Sequence, residues 1–141
     1  MEFEKMKQFL IITPVKDSIQ LTELTIRSVM SCNNSESWNY VVYDDFSTEE
    51  NASKLDDLSL ELGFEVVHLK DVIDTPSPNY RYVLQQVQKR AIAEDKHLVI
   101  VESDVVAKFK FNVCLITFIS PDNFAFISPF EIKSKPIFSV K

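Results

Sequence analysis

Two places in this sequence put acids where apolar strands should end. His97-Leu98-Val99-Ile100-Val101 runs into Glu102-Ser103-Asp104, and Tyr40-Val41-Val42-Tyr43 runs into Asp44-Asp45. Carboxylates are hard oxygen ligands, and one or two of them with substrate phosphates suffice to hold Mg2+ or Mn2+. A cation so held offsets phosphate charge and stabilises a leaving diphosphate. If the chain stays extended through Ser103, Glu102 and Asp104 point to the same side and share a target. The alternative is a solvated strand end, and an isolated E-x-D does not decide between the two. Asp44-Asp45 also has two readings. One acid assists a helix N-terminus through its dipole, or a carboxylate accepts from a base N–H or a sugar hydroxyl.

The other chemistry-bearing residues divide similarly. Arg81 opens a helix and either reaches a pyrimidine or phosphate or pairs with an acid such as Asp74. Lys16 is a phosphate contact or a solvated loop lysine. His68 and His97 have no evident partner and read as structural or exposed. Tyr80 and Tyr82 read as helix packing, and Ser47, with no G-x-S-x-G elbow around it, reads as a cap. Gly63 is the only glycine, which excludes glycine-rich phosphate loops. Cys32 and Cys114 lack ligand spacing, and reduced thiols of a cytoplasmic protein are the expectation.

These residues need elements to position them. The chain has 141 residues and is 45% hydrophobic, enough for one domain with a core. Residues 8–13 contain Phe9-Leu10-Ile11-Ile12, a run that fits a strand buried on both faces, stopped by Thr13-Pro14. Asp17 or Ser18 caps a helix carrying Ile19, Ile26 and Met30, with Leu24 and Val29 widening the stripe. The helix ends in Cys32-Asn33-Asn34-Ser35. After the second strand, at residues 40–43, Ser47 and Glu50 form a capping box. Leu55, Leu58 and Leu62 give the face of the next helix, and Gly63 is its left-handed C′ residue. Residues 64–69 form a third strand, and residues 70–78 a loop held extended by Pro76 and Pro78. Tyr80, Val83, Leu84, Val87 and Ala91 mark a third helix, and residues 97–104 a fourth strand. Alternating β and α elements with right-handed crossovers give an α/β fold: a mainly parallel sheet with helices on both faces, a three-layer α/β/α arrangement. Ligands of such sheets bind at the carboxyl ends of the strands. Thr13, Pro14, Val15, Asp44, Asp45, Glu102 and Asp104 are therefore expected to line one crevice.

Charge and composition shift near Lys108. Residues 1–107 hold ten Lys and Arg against nineteen acids, a balance of −9, and residues 108–141 hold five against two, a balance of +3; together they make the net −6. A net negative chain disfavours nucleic acid and anionic membrane as partners. No apolar run is long enough to span a bilayer, and no signal-peptide pattern opens the chain. Residues 1–7 read as a leader or remnant. Residues 108–141 hold seven of the eleven Phe and read as short strands, including Phe124-Ala125-Phe126-Ile127 and Pro136-Ile137-Phe138. These either complete the sheet or expose an apolar surface through which the chain self-associates.

In order and spacing the segments resemble the nucleotide-sugar-binding half of a family 2 glycosyltransferase of GT-A fold, over roughly residues 8–107. Phe9-Leu10-Ile11-Ile12-Thr13-Pro14-Val15-Lys16 is similar to the family's opening strand. Val41-Val42-Tyr43-Asp44-Asp45-Phe46-Ser47-Thr48 resembles its V-V-D-D-G-S-T segment, and Glu102-Ser103-Asp104 stands where its D-x-D motif does. Ser77-Pro78-Asn79-Tyr80-Arg81-Tyr82 resembles the stretch that supplies a nucleotide-contacting Arg or Asn. The resemblance implies that Thr13, Pro14 and Val15 border the nucleoside. It implies that Asp45, beside Asp44, contacts a uracil with Arg81 as helper. It implies that Glu102 faces the ribose or metal and that Asp104 holds Mg2+ or Mn2+ on the diphosphate. The implied reaction transfers sugar from a nucleotide-diphosphate sugar, a UDP-sugar, to an acceptor hydroxyl with inversion. Phe46 stands where the family has Gly, and Glu102 where it has Asp. Nothing after Lys108 resembles the acceptor half, so the chain reads as truncated and its catalytic base is not visible. A donor-binding remnant or interaction module without turnover is the alternative reading. A phospho-acceptor module built on Asp44-Asp45 lacks the later-strand lysine it requires.

Overall fold

A computed structural model describes residues 8–32, 38–107 and 124–127. Its elements are β1 (Phe9–Val15), α1 (Ile19–Ser31), β2 (Trp38–Asp44), α2 (Glu49–Leu62), β3 (Glu65–His68), α3 (Tyr80–Ala93), β4 (His97–Val101) and β5 (Phe124–Ile127). The sheet order is β3-β2-β1-β4-β5, and every pairing is parallel. The three-layer α/β/α expectation holds.

The apolar runs explain the layering. Alternate residues of one strand face opposite sides, so a strand apolar at every position must be covered twice. Phe9, Ile11, Val15, Tyr40, Val42, Val99 and Val101 pack with Ile26 and Val29 of α1 and Leu55 and Leu58 of α2. Leu10, Ile12, Val41, Tyr43, Leu98 and Ile100 pack with Val83, Val87 and Ala91 of α3. Full burial of each Val, Leu or Ile contributes about 1.5–3 kcal/mol relative to exposure. Leu10, Ile12, Val41, Val42, Val99 and Val101 are completely buried, so β1, β2 and β4 form the centre of the core.

Several local expectations are corrected. β1 does not stop at Thr13-Pro14 but runs through to Val15. The Val15 carbonyl accepts from Asp45 N at 2.8 Å, so by alternation the Pro14 nitrogen faces β4. Pairing with β4 ends at Ile12–Ile100, so the missing N–H falls where no partner waits. In α1 the buried face runs through Thr22, Thr25, Ile26 and Val29, and Leu24 is 56% exposed. The expected capping box is absent: Thr48, not Ser47, caps α2 by accepting from Asn51 N. Neither Asp17 nor Ser18 caps α1 with a side chain; Ser18 is left-handed, and Asp17 is engaged with the start of α2. The third strand is shorter than expected, and residues 69–71 form a single 3-10 turn.

β5 pairs with β4 in register from Leu98–Phe124 to Val101–Ile127, so the sheet takes a strand from beyond the composition boundary. The other expected tail strands lie outside the described residues, as do the leader, the Asn33-Asn34-Ser35 turn, Cys114, and the acids Asp122 and Glu131. The proposed apolar tail surface falls there too.

Gly63 has φ +79° and closes α2 in the left-handed conformation expected of a C′ glycine. A Cβ built there meets nothing within 4 Å, so only backbone strain opposes a side chain. A Gly63→Ala variant should lose about 1–2 kcal/mol in urea denaturation. A loss several times larger would mean that the site is sterically closed.

Candidate functional site

All strand ends lie on one edge of a parallel sheet, and alternation then decides which acids meet there. Asp44 follows Tyr40 and Val42 on the α1–α2 side. Its side chain is 0% exposed. Oδ1 accepts from Ser47 N at 3.1 Å, and Oδ2 lies 2.8 Å from His68 Nδ1. His68 Nε2 lies 2.9 Å from Asp56 Oδ1 on α2. Asp44 thus points away from its neighbour Asp45, and the expectation that the two acids share a crevice is corrected. His68, expected to lack a partner, has two. A ring between two carboxylates donates from both nitrogens only as imidazolium. Burial opposes that charge, but the hydrogen bonds with Asp44 and Asp56 outweigh it and hold the His68 pKa above its ordinary value.

Asp45 turns to the α3 side. It accepts from Ser77 Oγ, Asn79 N and Asn79 Nδ2, each at 2.8 Å. Asn79 Nδ2 also donates to the Thr75 carbonyl at 2.9 Å, which fixes the amide. Partial burial pushes the Asp45 pKa up, but the donors from Asn79 and Ser77, with Lys16 nearby, bring it below the usual carboxylate range. Asp45 is therefore an ionised anchor for the loop that enters α3.

The β1–α1 and β2–α2 loops are tied to each other. Asp17 N donates to Ser47 Oγ at 2.8 Å. Asp17 Oδ1 accepts from Thr48 N at 2.9 Å and Asn51 Nδ2 at 3.0 Å, contacts that lower its pKa. Lys16 Nζ donates to the Phe46 carbonyl, and Phe46 itself is left-handed, with φ +60°. That is the conformation a Gly would take freely at this position and a Phe takes with strain.

β4 ends at Val101, and Val105 N donates back to the Glu102 carbonyl at 3.3 Å. The chain turns at Ser103 and Asp104, so extension does not persist and strand alternation does not align the two acids. The turn is pinned to α1 by Thr25 Oγ1 on the Ser103 carbonyl at 2.9 Å and by Ala107 N on Ser28 Oγ at 2.9 Å. Glu102 lies on the α3 side, half-buried, and accepts from Tyr80 Oη at 3.0 Å. Tyr80 is 39% exposed rather than packed under its helix. Burial first, and the Glu102 carboxylate second, push its phenol up to about 12. Asp104 is exposed on the turn.

The remaining expected residues are placed less directly. Thr13 Oγ1 is buried against Tyr40 Oη at 2.8 Å, and the Val15 side chain is in the core, so these two offer only backbone at the edge. Pro14 is half-buried on the α3 side. Arg81 is exposed, and among the described residues no hydrogen bond or ion pair holds it, to Asp74 or otherwise. The stretch from Ser77 to Tyr82 was singled out for an Arg or Asn, and its Asn79 and Ser77 hold Asp45, whereas Asp17, Tyr80 and His68 were read as a cap, helix packing and a histidine without a partner. For His68 a signal existed: it stands in register with Asp44 at the end of the neighbouring strand.

Among the described residues no three His, Cys, Asp or Glu side chains are grouped to enclose a metal. Glu102 and the exposed Asp104 carry the oxygen donors that a hard cation takes alongside water and substrate phosphate, but the turn at Ser103 does not align them as a continuing strand would. No described helix is long and apolar enough to cross a membrane.

No family model and no curated protein sequence matches this chain. Solved structures do. TarS residues 1–349 from S. aureus is 20% identical over 69% of this chain, with a TM-score of 0.52. The same protein in complex with UDP gives 0.53 at the same identity and coverage. The mannosyltransferase PcManGT from Pyrobaculum calidifontis, in complex with GDP-Man and Mn2+, is 16% identical over 73% of this chain, with a TM-score of 0.54. The described chain shares their fold, which is GT-A-like. It spans 27% of the TarS 1–349 chain, 16% of the longer TarS chain and 29% of the PcManGT chain.

The His68 bridge has a pH signature. A pKa raised on folding stabilises fully below the unfolded value near 6.5, and the benefit fades as pH rises through the folded value. Thermal unfolding should therefore show a midpoint that falls as pH rises above about 6.5, with a smaller fall in His68→Gln. Identical pH profiles for the two proteins would rule out the bridge.

Proposed function

We propose that this chain is the donor-binding part of a glycosyltransferase. On this reading the carboxyl edge of its sheet binds a nucleotide-diphosphate sugar, and Mg2+ or Mn2+, for transfer of the sugar to an acceptor hydroxyl. The observation that carries the reading is the pairing of Asp45 and Glu102. They come from the ends of different strands, lie on the same side of the sheet, and are each held by one of two consecutive residues, Asn79 and Tyr80. The solved relatives of like fold lend support, one crystallised with UDP and another with GDP-Man and Mn2+.

Each residue then has a defined task. The backbone of Thr13, Pro14 and Val15 borders the nucleoside. Asp45 accepts from a base N–H, a uracil being the base we assign; three of its roughly four lone-pair sites are filled, leaving one. Asp44 does not touch the donor: through His68 and Ser47 it fixes the backbone from which Asp45 projects. Arg81, exposed at the first turn of α3, contacts the pyrimidine or a phosphate. Glu102 meets the ribose or the cation, and Asp104 is a cation ligand. When bound, the cation offsets the charge that develops on the departing diphosphate. Transfer also needs a base for the acceptor proton, and no described residue is assigned that role. On the same reading the protein is cytoplasmic, where reduced thiols are the default for cysteines without ligand spacing.

Titration calorimetry with UDP and Mn2+ tests the proposal. Saturable one-to-one heat is expected, weakened at least about tenfold in Asp104→Ala and in Asp45→Asn. That is the size of loss produced by removing one charge-assisted contact. Folded protein that gives no heat, or affinity unchanged in both variants, would refute it.

A further inference from the structure

Glu102 is a long acid one residue beyond the last paired position of β4, and its side chain rotates about three bonds. Left alone it would populate many rotamers. Among the described residues one hydrogen bond holds it, from the Tyr80 phenol to Oε1 at 3.0 Å. Tyr80 is the first residue of α3, and the one before it, Asn79, is committed to Asp45 by both backbone and side chain. The start of this helix is thus fixed at the β2 end and reaches out to the β4 end.

The exposure of Tyr80 supports a role beyond packing. Val83 and Val87 on the same helix are buried to within 1%. Tyr80, three residues before Val83 on the apolar stripe, keeps 39% of its surface in solvent, and its hydroxyl meets an acid across the edge. We infer that Tyr80 is a positioning residue for Glu102, holding the carboxylate by Oε1 and leaving Oε2 as the oxygen offered to a ribose hydroxyl or a cation. The inference rests on the donor-site reading above. A phenol suits the task. It donates one hydrogen bond and carries no charge, so it orients the carboxylate without the pairing that a Lys or Arg would impose. Partners that orient a ligating side chain typically change metal affinity 10–100-fold when removed.

Tyr80→Phe keeps the ring and deletes only the donor. In the full chain, Mn2+ titrated in the presence of UDP should bind about tenfold more weakly to this variant than to the parent. In a Glu102→Gln background the same change should add nothing, since the group it orients has lost its charge; a purely structural role would give additive effects. A ligand-free readout accompanies this. In ultraviolet difference titration, the phenol signal missing from Tyr80→Phe should shift down toward the ordinary value near 10 in Glu102→Gln. Parent-like Mn2+ affinity in Tyr80→Phe, with Glu102→Gln impaired, would overturn the positioning role and leave the donor site standing. A parent chain that binds no UDP with Mn2+ would overturn the donor site, and this inference with it.

Discussion

Adjacent residues at the end of a parallel strand must face opposite layers, and the chemistry of this molecule depends on that constraint. Asp44 and Asp45 are chemically identical neighbours. One is sealed among Ser47, His68 and, through the histidine, Asp56. The other meets Ser77 and Asn79. A buried carboxylate is costly unless it is paired and hydrogen-bonded, and Asp44 is both. Its reward is mechanical: it joins the ends of β2 and β3 to α2. The same alternation puts Glu102 with Asp45 rather than with Asp44. The side of the sheet covered by α3 therefore gathers the available acids, and the α1–α2 side gathers the structural ones.

The loops at this edge keep their shape under strain. Asp17, Ser18 and Phe46 are all left-handed without being glycine, at φ +51°, +51° and +60°. Each conformation costs about 1–2 kcal/mol. The compensating contacts run between the two loops: Asp17 with Ser47, Thr48 and Asn51, and Val15 with Asp45. At about 1 kcal/mol net per hydrogen bond, and somewhat more where a carboxylate accepts, four such contacts are of the size needed to offset three strained residues. Strain held in place by cross-links at the ligand edge of a sheet is what a preorganised binding surface requires.

The fold was legible because it depends on pattern. Continuous apolar runs announced strands covered twice, and the i, i+3, i+4, i+7 spacing in α3 announced its buried face. Phe124-Ala125-Phe126-Ile127 was readable as a strand even beyond the change in composition. What failed was local. Thr13-Pro14 read as a stop because proline lacks a donor, yet that donor is missing only toward the side where β4 has already departed. Ser47 and Glu50 matched a capping box, but Thr48 sits one residue nearer the helix. At the site, the residue types were visible and their partners were not. Glu102-Ser103-Asp104 gave no hint of a turn. The contacts of Asp45 with Asn79 and of Glu102 with Tyr80 join residues 34 and 22 positions apart, beyond the reach of any spacing rule. Only the Asp44–His68 pair was within reach, from strand register.

The place of β1 at the centre of the sheet has a kinetic consequence. β1 has two neighbours, β2 close behind it in the chain and β4 more than eighty residues on from its start. Until β4 is synthesised, Phe9 to Ile12 present an apolar, unpaired edge. Long-range parallel pairing is also intrinsically slow to form, since chain closure must precede any gain in contacts. A nascent chain therefore carries this apolar strand half-covered from the making of β1 until that of β4. An unpaired apolar edge is where association competes with folding, so whatever shields it in that interval matters alongside the stability of the finished sheet.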